Sequence, residues 1–492
     1  MLCPHCKEPV KATREFCPHC GQRVKVAFAA VAASMQAEAA VRRGRRAERN
    51  LTGALALLVL AGVVILGLNQ LWDTRLAYEG ADVPAISAPA PTEGETPLIP
   101  LPDRYLDCFR LSVPPGRAAR VMGYRFPPIR DQLRRANGAG DALGKAIQAG
   151  LKYLAQRQAA DGAWPNLQLN ATFASDLRIL KEHDESSAYQ WARTGVTALA
   201  LLAFLGEGET WLPDARGQRG PFADRAQKAI AALVQGQDQT NGRFGPAQGN
   251  FMYNHGLATL AIAEAAGMSG DPYLLAAAQK GLDLIERTQG PQGGWDYKDQ
   301  ITGRQDASVS SWQVQALCAG IEAGLQVKPE VLRKALSFYQ TVTDVSTGLV
   351  QYDLSDKQAF ASLSGVALML RRLLGEGPDA PGMRALARKA GEATTRVERN
   401  WGRDWDERRS DVDQPRRARV FDPYAWYHSA YGLYFQGDEA SVKWVTSAIA
   451  ALIELQDRDG AWRGNDKWSV KAGAVYSTAL CVLALQVYSR IH

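Results

Sequence analysis

The sequence predicts an all-α protein whose main part is an α/α toroid, a closed ring of about six helical hairpins. The first observation is a repeated signature, Gln-x-x-x-Gly-x-Trp, found at 158–164, 289–295 and 456–462, with a degraded copy at 237–244 that ends in Phe. The second is apolar spacing, because apolar residues between Leu275 and Ile285 recur on one helix face. Both observations indicate paired helices with a repeat boundary at each signature.

Each part of the signature has an expected physical role. The Gln side chain is expected to bond carbonyls left bare at a helix C-terminus, because the last four carbonyls of a helix lack partners within it. The Gly suits the left-handed backbone that commonly ends a helix. The Trp is expected to bury against a neighbouring repeat. The signature therefore predicts where an outer helix ends.

Six pairs of outer and inner helices follow from this pattern. They are predicted at 140–158 with 194–205, 224–234 with 255–266, 272–288 with 308–323, 329–341 with 362–374, 381–399 with 424–435, and 439–455 with 475–488. Inner segments such as 196–205 are apolar nearly all round, which is typical of helices buried on both sides. An open solenoid is the alternative, but a closed ring needs no capping repeats and the last repeat is as regular as the others.

Length and charge limit the classes of function. The chain has 492 residues, of which 46% are apolar, enough for one large domain with appendages. Its net charge of +6 comes from the first 50 residues, which hold ten Lys or Arg against four Asp or Glu, while the remainder holds 47 of each sign. Because the ring segment is neutral, we expect no nucleic-acid partner for the toroid.

Two closely spaced thiol pairs lie at the N-terminus, Cys3 with Cys6 and Cys17 with Cys20. Each pair belongs to a Cys-Pro-His-Cys string, and a separation of about ten residues suits tetrahedral zinc bound by four thiolates. Disulfide-exchange chemistry is the alternative, but it needs a thioredoxin-like domain. We expect a structural Zn²⁺ in a zinc ribbon at 1–24 that binds a cytoplasmic protein partner.

The segment at 51–72 is predicted to be a transmembrane helix, because it begins with an uncharged apolar run about as long as a bilayer requires. The preceding segment at 25–50 is predicted to be helical and is basic next to the membrane, which places the N-terminus in the cytoplasm. Residues 73–139 form a Pro-rich linker and lead-in. The protein is thus expected to cross the cytoplasmic (inner) membrane once, with the toroid at 140–492 extracytoplasmic or periplasmic.

The repeated signature on paired helices resembles that of the squalene cyclase and protein prenyltransferase superfamily, over about residues 140–491. The resemblance implies a toroid with a central cavity. The cyclase acid motif Asp-x-Asp-Asp is matched only by Asp-Val-Asp-Gln at 411–414. Of the prenyltransferase zinc ligands, the Asp and His positions match Asp306 and His428, but the thiolate position is Ser308, a poor zinc ligand. The motifs are degenerate, which disfavours prenyl transfer.

Polar residues occur at corresponding ends of the predicted inner helices, and these ends converge in a toroid. The candidate catalytic residues are His255, Asp306 and His428, which could act as acid and base or hold a cavity metal. The candidate ligand-binding residues are Tyr253, Asn254, Ser308, Trp312, Asp422, Tyr427 and Tyr476. The alternative interpretation is that Asp306 caps its helix and the two histidines hydrogen-bond within the core.

The topology and the degenerate motifs favour a ligand- or protein-binding module, a scaffold or sensor with recognition modules on both sides of a membrane. The alternative is an enzyme acting in the toroid cavity on an isoprenoid or a polysaccharide. A glycan-cleaving enzyme would need paired carboxylates, for which the sequence suggests Asp306 and Asp422. The expected ligand of the toroid is accordingly apolar, a glycan or a peptide.

Overall fold

The computed structural model describes residues 122–127, 129–165, 192–212, 218–355, 358–394, 421–464 and 466–490. All of them belong to one unit of the chain, Glu95–His492. The predicted zinc ribbon, basic segment, transmembrane helix and most of the linker lie outside the described residues. Within the ranges given, none of the helices combines the length and the apolar composition needed to cross a membrane.

A short helix, α1 (Ile129–Ala136), precedes six pairs of helices in the described part of the chain. The outer and inner members are α2 (Asp141–Arg157) with α3 (Arg193–Leu205), α4 (Ala223–Gln235) with α5 (Phe251–Ser269), α6 (Pro272–Arg287) with α7 (Ala307–Glu322), α8 (Pro329–Thr341) with α9 (Ser364–Leu373), α10 (Met383–Thr394) with α11 (Pro423–Gln436), and α12 (Glu439–Leu455) with α13 (Lys467–Leu485). Two short antiparallel strands, β1 (Val350–Gln351) and β2 (Ala359–Phe360), lie between α8 and α9. The six predicted helix pairs are confirmed.

The inner helices form a closed ring. α3 packs on α5, α5 on α7, α7 on α9, α9 on α11, α11 on α13, and α13 returns to α3. The outer layer closes as well, because Gln456 Nε2 after α12 donates to Ala146 O in α2 at 2.9 Å. The α/α toroid is therefore confirmed, since in an open solenoid the last repeat would not contact the first.

The inner helix α3 is buried on all sides, as its apolar composition predicts. Every residue from Gly195 to Leu205 of α3 is buried. Such a helix contacts its outer partner on one side and two inner neighbours on the others, so no face needs polar side chains for water.

Each signature Gln ties one hairpin to the next. The prediction that it bonds carbonyls at a helix C-terminus is wrong, because the turn that follows carries the chain against the first half of the next outer helix. Gln289 Nε2 donates to Gly293 O at 3.0 Å and to Val331 O of α8 at 2.7 Å. Gln158, Gln237 and Gln456 make the same pair of bonds to their own signature Gly and to the next outer helix.

The signature Trp locks the two helices of its own hairpin. The Trp295 indole N–H donates to Ile285 O of α6 at 2.7 Å, and its backbone N–H donates to Ser310 Oγ of α7 at 2.8 Å. Trp164 and Trp462 make the equivalent bonds. The Trp462 ring also lies against Gly150 of α2, in the next hairpin around the ring, as the sequence predicts for this position.

A glycine is required in the signature for two reasons. Gly293 has a φ of +99°, in the left-handed region, and a Cβ there would collide with the carbonyl of Lys334 in α8. The same two properties belong to Gly162, Gly242, Gly348 and Gly460. Gly348 marks a repeat boundary that the sequence did not reveal, because Val350 stands where the signature has Trp and no Gln precedes the glycine at the signature spacing.

The lead-in segment packs where the inner helices end. Arg125 is buried, and its Nη1 donates to Glu264 Oε2 of α5 at 2.6 Å while its Nε donates to Arg490 O at 3.0 Å. Arg490 Nη2 donates to the other Glu264 oxygen at 2.7 Å. One carboxylate thus joins the lead-in, α5 and the chain after α13.

Candidate functional site

The six inner helices begin at the same end of the ring, because each returns from its outer helix in the same direction. Three begin with an aspartate N-cap, Asp306 for α7, Asp422 for α11 and Asp466 for α13. Each Oδ1 accepts two backbone N–H groups of the first turn, which a helix leaves unpaired. We call this end the mouth; it is defined by Asp306, Asp422, Asp466, Tyr253, Tyr424 and Tyr476.

Asp306 is fully buried and orders its neighbours in a chain of hydrogen bonds. Its Oδ1 also accepts the Ser308 hydroxyl at 2.7 Å, and the Tyr253 hydroxyl hydrogen-bonds Ser308 Oγ. Because the Ser308 proton is given to Asp306, Tyr253 must be the donor to Ser308. Burial and then the Asp306 charge raise the pKa of Tyr253 well above its ordinary value, so the phenol keeps its proton. The N-cap interpretation of Asp306 therefore matches its geometry.

Arg304 covers one side of this cluster. Its Nη2 donates to Tyr297 Oη at 2.8 Å and lies 3.4 Å from Asp306 Oδ2, and its guanidinium carbon is 4.2 Å from the Tyr297 ring centre. The Tyr297 and Tyr352 hydroxyl oxygens are 2.8 Å apart. The Tyr253 and Tyr297 ring centres are 5.9 Å apart. Tyrosine faces and hydroxyls therefore surround the start of α7, held in place by one cation.

Tyr424 connects the start of α7 to the start of α11. Its hydroxyl oxygen lies 3.4 Å from Ser308 O and 3.3 Å from Ser311 Oγ. Burial raises the pKa of Tyr424 well above its ordinary value, and the charges of Asp306 and Asp422 act in the same direction. Tyr424 thus reaches both carboxyl groups electrostatically, and these side chains belong to one site.

Asp422 lies within electrostatic reach of Asp466, which begins the neighbouring inner helix α13. The sequence suggested Asp306 as the partner of Asp422, but the Asp306 charge is not among the causes of the Asp422 pKa shift. Burial, and then the charge of Asp466, raise the pKa of Asp422 to about 7. Burial also raises the pKa of Asp466. Tyr476 of α13 lies close enough that both carboxylates, after burial, raise its pKa well above its ordinary value.

His428 is fully buried with a partner on each ring nitrogen. Its Nδ1–H donates to Tyr424 O at 2.9 Å, and its Nε2 accepts the Gln315 amide at 3.4 Å. This assignment fixes one neutral tautomer, because an amide N–H can only donate. Burial lowers the pKa of His428 to about 3. His428 therefore holds the backbone of Tyr424 in place through the bond to Tyr424 O, and its ring is neutral near pH 7.

The centre of the ring behind the mouth is filled by side chains. Trp312 stacks on Tyr427 with ring centres 5.7 Å apart, although α7 and α11 are not neighbours in the ring. Tyr427 Oη donates to Gln315 Oε1 at 2.7 Å and accepts from Arg490 Nη1 at 3.2 Å. Trp312 and Tyr427, predicted to contact a ligand, are buried and instead pack α7 against α11.

His255 and Asn254 lie at the same end of α5 as Tyr253, but their side chains bond neighbouring segments and not the mouth residues. His255 Nδ1 accepts the Phe244 N–H at 3.2 Å, so its Nε2–H donates to Gly281 O of α6 at 3.1 Å. Burial lowers the pKa of His255 to about 3. Asn254 Oδ1 accepts the Gly195 N–H of α3 at 3.1 Å. Both residues join helices.

The structure does not bring His255, Asp306 and His428 together at one point. His255 faces the outer layer while His428 faces α7, so the two imidazoles do not meet at the Asp306 carboxylate. In the part of the chain that the structure describes, no group of three or more His, Cys, Asp or Glu side chains is arranged to hold a metal ion. The carboxyl groups, and not the histidines, provide the ionisable groups at the mouth.

Several mouth residues were not predicted from the sequence. Tyr297, Arg304 and Tyr352 lie in connections between helices, whose paths periodicity does not specify. Asp466 was missed although a signal existed, since aspartate is a preferred N-cap residue.

No protein-family model and no curated protein matches the sequence. The structure is similar to an α-1,6-mannanase of glycoside hydrolase family 76 from Salegentibacter, with a TM-score of 0.47 and 13% identity over 70% of this chain and 99% of that chain. A family 76 mannosidase from Bacteroides thetaiotaomicron has a TM-score of 0.47 and 12% identity over 70% of this chain and 98% of that chain. A type II terpene cyclase from Scytonema has a TM-score of 0.42 and 15% identity, with 70% and 98% covered. The fold assignment rests on the helix contacts within this chain.

Proposed function

We propose that the mouth binds a polyhydroxylated ligand, a segment of a glycan. The observation that carries the proposal is the set of partly exposed tyrosines, Tyr253, Tyr424 and Tyr476, around the half-buried carboxyl group of Asp422. Tyrosine rings offer apolar faces to the C–H groups of a sugar, while hydroxyls and carboxylates bond its hydroxyl groups. A glycan presents both kinds of surface at once.

An isoprenoid fits this mouth less well. It presents only apolar surface, so it would desolvate the carboxylates and hydroxyls without replacing their hydrogen bonds with water. A long apolar chain would also have to enter the centre, where Trp312 and Tyr427 are packed and Arg490 is paired with Glu264. Breaking such a buried ion pair is costly. These contacts support a shallow site at the mouth.

The expectations for the N-terminal part complete the proposal. We infer that one transmembrane helix at 51–72 anchors the protein in the inner membrane and presents the toroid outside the cytoplasm. The zinc ribbon, with Cys3, Cys6, Cys17 and Cys20 as ligands, would bind a protein in the cytoplasm. In this arrangement the protein is a scaffold or sensor that connects an extracytoplasmic glycan to a cytoplasmic partner. This part of the proposal rests on the sequence.

The test is binding of the full-length, detergent-solubilised protein to a glycan array, followed by calorimetry on each positive glycan. Tyr424→Phe removes one hydroxyl at the mouth and is expected to weaken binding about fivefold, the effect of one lost hydrogen bond. The matched control is Tyr273→Phe, because residues 271–273 repeat the Asp-Pro-Tyr of 422–424 on an outer helix and Tyr273 is 66% exposed. The absence of any positive glycan, or equal effects of the two changes, would contradict the proposal.

A further inference from the structure

Asp422 and Asp466 are set up alike on neighbouring helices. Each directs Oδ1 at two backbone N–H groups of its own helix, at 3.0 and 3.3 Å for Asp422 and at 2.8 and 3.1 Å for Asp466. These bonds fix both carboxyl groups without using their second oxygens. Both carboxyl groups are therefore held in fixed positions, and the Oδ2 atom of each takes no part in the N-cap bonds.

The second oxygen of Asp466 is the unusual one. Asp466 is only 7% exposed, yet its Oδ2 has no hydrogen-bond partner among the described residues. A buried carboxylate oxygen is costly to leave unpaired. Asp422 is half-buried, so the pair is reached from solvent at the mouth. Asp466 Oδ2 is therefore left as an acceptor beside the Ser469 hydroxyl, whose oxygen is likewise without a partner among the described residues.

The surroundings of the pair favour a proton on Asp422. Asp422 is acted on by Asp466 and by the N–H groups of its own first turn. Asp466 is acted on by the Ser469 hydroxyl and by its own first-turn N–H groups. The phenols Tyr424 and Tyr476 and the thiol of Cys481, each with its pKa raised mainly by burial, stay neutral around the pair. Burial, and then the charge of Asp466, raise the pKa of Asp422 to about 7. Asp422 can thus hold a proton beside Asp466 near neutral pH, so the pair can supply the acid and the base that hydrolysis of an acetal requires.

We propose that Asp422 and Asp466 are the acid and the base of a hydrolytic pair that cleaves a glycosidic bond of a glycan held at the mouth. The inference rests on the proposed function and adds a reaction to it. Trp468, which is 50% exposed and follows Asp466 by two residues, provides an aromatic surface at the rim for a sugar ring.

The reaction balances with water as the second reactant. The Asp422 carboxylic acid gives its proton to the glycosidic oxygen while the bond from that oxygen to the anomeric carbon breaks. Asp466 takes a proton from the water molecule whose oxygen forms the new bond to the same carbon. The products are two free hydroxyl ends. A proton then passes from Asp466 to Asp422, which restores the pair.

The experiment uses the full-length protein and the array-positive glycan, with released reducing ends measured by mass spectrometry. Asp422→Asn and Asp466→Asn keep the N-caps, because Asn caps helices as well as Asp, and each is expected to slow cleavage about 100-fold or more while the glycan still binds. The rate of the wild type should fall as the pH rises through about 7, where Asp422 loses its proton. The Asp422→Asn variant should lack this fall.

The matched control is Asp271→Asn, an N-cap followed by Pro on the outer helix α6, which should cleave at the wild-type rate. A glycan that binds the wild type and is recovered intact overturns the hydrolytic pair and leaves the binding proposal standing. Cleavage that Asp422→Asn and Asp466→Asn do not slow overturns the assignment of the pair. A protein that binds no glycan overturns both proposals.

Discussion

The His428 ring is neutral because burial removes the water that would stabilise its charged form. Its Nε2 accepts from Gln315 and its Nδ1–H donates to Tyr424 O, so a second ring proton would face the Gln315 donor. The pKa of His428 falls from 6.5 to about 3. Unfolding restores the ordinary pKa. Between pH 6.5 and about pH 3, His428 therefore binds a proton in the unfolded chain but not in the folded chain.

This difference predicts an acid-dependent loss of stability. The contribution is complete above pH 6.5 and declines as the pH falls toward 3, by at most about 1.4 kcal/mol per pH unit. In His428→Gln the decline is absent. Urea unfolding should show that the free energy of unfolding of this variant, relative to wild type, improves by about 2 kcal/mol between pH 7 and pH 5.

Tyr427→Phe is the control for that experiment. It removes the hydroxyl that donates to the same Gln315, but it removes no group that titrates in this pH range. Its effect on the free energy of unfolding should be equal at pH 7 and pH 5. A pH-independent effect of His428→Gln as well would mean that the imidazole is not held neutral in the fold.

The joints between hairpins depend on the signature glycines. Gly293 combines a φ of +99° with backbone of α8 where a Cβ would lie, whereas Gly324 has a φ of +77° and open space. Gly324→Ala should therefore cost about 1 kcal/mol of backbone strain, and Gly293→Ala should cost about 3 kcal/mol or more because strain and overlap add. Urea unfolding of the two variants measures the difference. Equal losses would contradict the close contact of the turn with α8.

The helix pairs were predictable because the signature concentrates a Gln, a left-handed Gly and a buried Trp in seven residues. The start of α13 was not. Its apolar pattern begins at Val475, but Gly473, with φ +83° and ψ 174°, interrupts a helix that starts at Lys467. The first turn, with its Asp466 cap, therefore lies before the periodic segment, and the partner of Asp422 was hidden in what resembled a loop.

The direction of His255 follows from helix geometry more than from its neighbours in sequence. Tyr253 and His255 are two residues apart, which is about 200° around an α-helix. They therefore face opposite sides, and in α5 the tyrosine contacts Ser308 while the histidine bonds Gly281. Both residues lie near the start of α5 and so near the same end of the ring. Their directions around the helix axis differ, and only Tyr253 reaches the other mouth residues.

Closure makes the first and last hairpins neighbours although they are more than three hundred residues apart, as the Gln456 to Ala146 bond shows. Trp462 contributes to this junction, because its ring lies against Gly150 of α2 while its indole N–H donates to Leu452 O at 2.8 Å. A substitution that disrupts this junction should thus destabilise both the first and the last hairpin. In an open array of repeats it would stay at the last repeat.

Trp462→Ala should lower the free energy of unfolding by about 3 to 5 kcal/mol, the usual cost of removing a buried Trp. Hydrogen exchange should then quicken in α2 as well as in α12 and α13, and less in α6 across the ring. The control is Trp468→Ala, because Trp468 is half exposed and its loss leaves no cavity. Faster exchange confined to α12 and α13 would mean that the first and last hairpins unfold independently, and that the ring closes without cooperative coupling across the junction.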